Sequence, residues 1–136
     1  MTAMEKVAWT ELLVSVTTIA IVTALIPWLG NGATGAFGLL GLLVCGLWFI
    51  KRRSNSVVID ERDREIERRS TRRGIEVAWM MLFLALIAIV LWSSYANEGV
   101  VATWMLTWLV WLQFAVCYSV KGFVSVLAYR RQSRAT

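Results

Sequence analysis

The 136-residue chain has no histidine, one proline and two cysteines. Without imidazole it lacks both the side chain that titrates near neutrality and the commonest transition-metal ligand. Serine-histidine-aspartate triads, two-histidine zinc motifs and histidine-ligated haem are therefore excluded. Cys45 and Cys117 lie inside apolar runs, where a thiol acts as a small packing residue. No glycine-rich phosphate loop follows a strand pattern. No catalytic, cofactor-binding or metal-binding residue is assigned, no cofactor is expected, and the chain does not read as an enzyme. Charge is scarce too: 17% of residues are charged, gathered in a few places with long uncharged stretches between them.

What fills those stretches is apolar. Hydrophobic residues make up 58% of the chain and the mean hydropathy is +0.63, above the apolar share of about 45–50% in soluble domains. Four runs stand out, at about residues 7–28, 33–50, 77–95 and 99–120. At 1.5 Å per residue, runs of this length span roughly 27 to 33 Å as helices, close to a hydrocarbon core of about 30 Å. Helix is the expected form, because an isolated strand would leave backbone groups unpaired in lipid. The links at 29–32 and 96–98 are short and predict antiparallel hairpins. The expected fold is thus an all-α integral membrane four-helix bundle of two antiparallel hairpins, a single membrane domain over residues 1–136 with a charged loop or helix at 51–74.

Basic residues set the orientation. Nine of the fourteen lie in 51–74; the others are Lys6, Lys121, Arg130, Arg131 and Arg134, and the two short links carry none. Lysine and arginine beside membrane segments are retained in the cytoplasm. The N-terminus and C-terminus are therefore both expected to be cytoplasmic, in a multi-pass protein of the cytoplasmic (inner) membrane. Trp9, Trp48 and Trp79 fall near the inner boundary, and Trp28, Trp92, Tyr95 and Trp104 near the outer one, as interfacial belts require. The first run is longer than a signal-peptide core and has one lysine before it, so it reads as a span rather than a cleaved leader.

The net charge is +5 and the pI about 9.8. Because the excess flanks apolar runs and no base-reading motif is present, the expected partner is a lipid bilayer with anionic headgroups, not nucleic acid. A faint repeat pairs Val7-Ala8-Trp9 with Val77-Ala78-Trp79 and predicts two similar hairpins related by an axis along the membrane normal.

The most patterned stretch is Asp60-Glu61-Arg62-Asp63-Arg64-Glu65-Ile66-Glu67-Arg68-Arg69, followed by Arg72 and Arg73. Acidic residues crowd its first turns and basic ones its last, complementing a helix dipole, while Asp60/Arg64 and Glu65/Arg69 are favourable i, i+4 pairs. The pattern predicts a cytoplasmic helix from about Asp60 that joins or abuts the third membrane run. It reads either as a salt-bridged connector resting on headgroups or as a docking surface for a cytoplasmic protein, with Asp60, Glu61, Arg62, Asp63, Arg68, Arg69, Arg72 and Arg73 as candidates. Residues 60–66 resemble the Asp-Glu-Arg-(Asp/Glu)-x-x-Ile motif of a family of small uncharacterised prokaryotic membrane proteins. The resemblance covers about thirty residues, implies a four-helix membrane fold, often encoded beside small helix-turn-helix regulators, and leaves the activity open.

Within the membrane, ionisable groups are costly and point to function. Glu11, about one turn inside the first run, is the clear candidate, either paired with a loop arginine or binding a cation or proton. Gln113 is the deepest strong hydrogen-bonding group, with Thr17, Thr18, Thr103 and Thr107 as potential partners across helices. Trp104, Trp108 and Trp111 form a stripe on one face, read as packing or as a cation-binding aromatic wall. Gly35, Ala36, Gly38, Gly41 and Cys45 form a small-residue face for close packing within the bundle or in a homo-oligomer. The leading expectation is a non-catalytic inner-membrane protein, regulatory or scaffolding through its charged cytoplasmic loop. The alternative is a small cation- or proton-coupled transporter or channel using Glu11 and the aromatic face. The one-sided basic distribution argues against kinship with dual-orientation small multidrug exporters.

Overall fold

The computed structural model describes residues 3–44, 61–96 and 101–133. Helix α1 spans Ala3–Leu29, a 3-10 helix spans Gly30–Leu43, α2 spans Glu61–Tyr95 and α3 spans Thr103–Ser133. Asp60 and Trp48 lie outside the described residues, as does the rest of 45–60.

Helix α1 carries Pro27 in its last turn, and Gly30 follows with φ of +53°. That left-handed conformation costs a glycine little and commonly ends an α-helix. There the chain turns back along α1. Val22 of α1 is buried in one cluster with Phe37 and Leu40 of the 3-10 helix and Ala115 of α3.

Fourteen residues is long for a 3-10 helix, since side chains three apart eclipse each other at three residues per turn. Here glycines recur in steps of three at 32, 35, 38 and 41. They stack into one exposed row with no side chains to eclipse, and Phe37 and Leu40 are buried on another row. At about 2 Å per residue the segment reaches roughly 28 Å.

The expectation of a four-helix bundle is therefore corrected. Among the described residues, three stretches are long and apolar enough to cross a membrane: Met4–Leu43, Glu61–Tyr95 and Thr103–Arg131. The glycine-rich sequence after Leu29 does not form a second α-helix; over Gly30–Leu43 it is a 3-10 helix that packs back on α1. The all-α class holds, with no strand among the described residues. Over the described residues the second elements of the two hairpins also differ in type, a 3-10 helix following α1 and the α-helix α3 following α2.

Helix α3 is the spine, packing along both α1 and α2. Much of the apolar surface faces outward, including Leu13, Val16, Trp79, Phe83, Val90 and Leu91. Outward-facing apolar surface on this scale suits helices whose solvent is lipid.

Candidate functional site

The three helices meet most closely at the end that holds the N-terminal part of α1, the charged start of α2 and the C-terminal part of α3. Glycine makes the approach possible. A methyl group in place of the Gly122 hydrogen would lie 2.6 Å from the Leu12 amide nitrogen of α1, and one on Gly74 would lie 2.7 Å from the Cys117 carbonyl oxygen of α3. Small residues at such crossings let backbones touch. The adjoining buried hydroxyls are satisfied within their own helices: Ser15 donates to the Glu11 carbonyl and Ser70 to the Glu67 carbonyl.

This close crossing surrounds a polar cluster. Lys121 Nζ of α3 donates to Glu11 Oε1 of α1 at 2.7 Å and to Glu67 Oε1 of α2 at 2.8 Å. The Lys121 and Glu11 side chains are 13% and 11% exposed, and Glu67 is 42% exposed. One ammonium thus joins all three helices. With both carboxylates ionised the trio carries one net negative charge, and the Tyr118 ring lies 5.9 Å from the ammonium. Burying charges is tolerated when each finds an opposite partner with good geometry, and removing one partner then leaves an uncompensated charge.

A second set of contacts holds the same end. Tyr129 of α3 donates from its hydroxyl to Asp63 Oδ1 of α2 at 3.0 Å. Arg130 stacks over Trp9 of α1 at 5.3 Å from the ring centroid. Ala8, Val126 and Tyr129 form a buried cluster flanked by Met4, Leu12 and Ile66. The first turns of α2 are therefore packed against the membrane helices, and Ser70, Gly74 and Ala78 continue the buried face one turn at a time.

Glu11 thus meets a lysine of α3 where a loop arginine was one expectation. Gln113 is half-buried and has no side-chain hydrogen bond among the described residues. Two of the four hydroxyls considered for it turn to their own backbones, Thr18 to the Val14 carbonyl and Thr107 to the Thr103 carbonyl. Two of the three stripe tryptophans pack on the buried Phe37 ring: Trp108 edge-on at 5.9 Å and Trp111 stacked at 6.2 Å. Trp104 is exposed.

Of the candidate docking residues in α2, Asp63 is turned inward to Tyr129, while Glu61, Arg62, Arg68, Arg69, Arg72 and Arg73 are exposed. Arg69 pairs with Glu65 at 2.6 Å and Arg72 with Glu76 at 2.8 Å. Arg62, Arg64, Arg68 and Arg73 have no ion-pair partner among the described residues. The outer face of the α2 start is consequently basic, and its inner face holds the lysine junction. Lys121 and Tyr129, which organise this end, were not singled out by sequence reasoning beyond Lys121 as a basic flank.

No curated protein and no solved structure matches the chain. The family described as "Predicted membrane protein (DUF2178)" matches residues 9–131, a range that takes in Glu11, Glu67, Lys121 and Tyr129. The chain therefore belongs to the DUF2178 family of membrane proteins.

Proposed function

We propose that this is a non-catalytic, multi-pass protein of the bacterial inner membrane that acts as a regulatory or scaffolding component. Its charged end faces the cytoplasm, where the start of α2 serves as a fixed basic arm for an acidic protein surface. The observation that carries this reading is the continuity of α2, a single 35-residue helix running from the charged segment into the apolar one. At 1.5 Å per residue it is about 52 Å long, well beyond a hydrocarbon core of about 30 Å. Counted back from Ile75, Arg72 is about 5 Å beyond the apolar part, Arg68 about 10 Å, and Arg64 and Arg62 about 16 and 20 Å. A headgroup layer adds only about 5 to 8 Å on each side, so Arg62 and Arg64 extend into the aqueous phase.

The basic residues of all three helices lie at this same end, which supports a cytoplasmic orientation. Lys121 and Tyr129 support a rigid arm, because they tie it to α1 and α3. Glu11, the carboxylate on which the transport alternative rests, is engaged by Lys121, and two of its three tryptophans pack on Phe37, which favours the structural reading of these groups.

The test is photo-crosslinking in intact cells from single positions of the full-length protein. A discrete protein adduct is expected from Arg62 and Arg64 and not from Phe83 or Leu91, and it should vanish when the neighbouring arginines are changed to glutamate. Adducts that ignore the arginine charge, or that form equally from the lipid face, would overturn the proposal.

A further inference from the structure

One feature of α2 lies below the aqueous arm and is independent of it. Arg68, Thr71, Arg72, Ile75 and Glu76 line a groove of about 470 Å³. Arg68, Arg72, Ile75, Trp79 and Phe83 fall four, seven, eleven and fifteen residues along the helix, which places them on one face. That face changes from cationic to apolar along its length: Ile75, Trp79 and Phe83 are 46%, 64% and 60% exposed. From Arg72 to Phe83 is about 16 Å of helix, the depth of one leaflet of a hydrocarbon core of about 30 Å.

We infer that this groove binds a single anionic phospholipid, with its phosphodiester on Arg68 and Arg72 and an acyl chain lying along Ile75, Trp79 and Phe83. The charge order fits a lipid better than a soluble anion, because Arg72 lies at headgroup depth with Arg68 one turn above it, and an apolar track runs from Arg72 into the membrane. It also fits an anionic headgroup better than a neutral one. Arg68 has no counterion among the described residues, and basic residues outnumber acidic ones nine to five over 51–74. Guanidinium groups bind phosphate oxygens through paired, charge-assisted hydrogen bonds. Glu76, paired with Arg72, lies beneath the headgroup and holds that guanidinium at the boundary.

The experiment is native mass spectrometry of the full-length protein released from micelles, titrated separately with phosphatidylglycerol, phosphatidylcholine and glycerol 1-phosphate. Phosphatidylglycerol should be retained as one bound molecule at least tenfold more tightly than phosphatidylcholine, and glycerol 1-phosphate should not compete at equal concentration. Arg68→Ala and Arg72→Ala should each weaken retention several-fold, and Trp79→Ala should weaken it while leaving the preference for charge intact. Arg131→Ala removes the same charge from exposed α3 surface and should leave retention unchanged. Equal loss in Arg131→Ala would reduce the effect to net charge and overturn the site. So would equal retention of the two lipids, or full competition by glycerol 1-phosphate, which would mark a site for free phosphate esters.

Discussion

Lys121 is one residue in a long apolar sequence, and its single ammonium satisfies carboxylates from two other helices. Sequence reasoning placed Glu11 as the ionisable group to watch and counted Lys121 only as a topological charge. It could not pair them, because the two lie 110 positions apart and no local spacing links α1 to α3. The residue-scale consequence is an asymmetry between partial and complete removal. Lys121→Met leaves Glu11 buried and unpaired, and removing one member of a buried pair costs about 3 to 5 kcal/mol. Unfolding of the purified protein in mixed micelles should show a loss of roughly that size. The triple replacement Glu11→Gln, Glu67→Gln, Lys121→Met should recover most of it, because replacing a whole buried ionic group by neutral residues is often close to neutral. A Lys121→Met protein as stable as the wild type would show that the trio is solvated and not structural.

Among the elements, α2 was the most legible and the 3-10 helix the least. The graded charge order after Asp60 predicted a helix joining the third membrane run, and one unbroken helix is what forms. The segment after Leu29 has the apolar composition of a membrane helix, so hydropathy alone counted it as a fourth α-helix. Its glycines at 35, 38 and 41 are read from sequence as part of a packing face and Gly32 as part of a link, although the spacing of three from 32 to 41 is also the period of a 3-10 helix. Glycines in this protein thus serve two purposes, and substitution separates them. Gly122→Ala forces a methyl group onto the α1 backbone, an overpacking that typically costs about 1 to 3 kcal/mol. Gly38→Ala meets nothing within 4 Å and should stay within about 0.5 kcal/mol of the parent, as open surface positions do. Micelle unfolding of both variants decides the matter, and a reversed order would contradict the packing described at the α1–α3 crossing.

At the scale of the whole molecule, α3 packs between α1 and α2, the glycines and Lys121 draw the three together at one end, and the basic residues collect there. The sequence made the membrane class and this polarity of charge legible, because both depend on composition along the chain. Which helix serves as the spine was not legible, since the small residues at the crossings, Gly74 after Arg73 and Gly122 after Lys121, are single glycines at the edges of apolar runs with no spacing that links one helix to another. The central claim is that the charged arm of α2 is a rigid extension of its membrane part, held by Lys121 and Tyr129. Spin labels at positions 64 and 86, in a protein with Cys45 and Cys117 replaced by alanine, test it by pulsed electron-electron distance measurement in nanodiscs. Twenty-two residues of continuous helix separate the labels, so the account predicts a single narrow distribution near about 33 Å. A broad distribution, or one centred well below that distance, would show a hinge between arm and membrane and would contradict it.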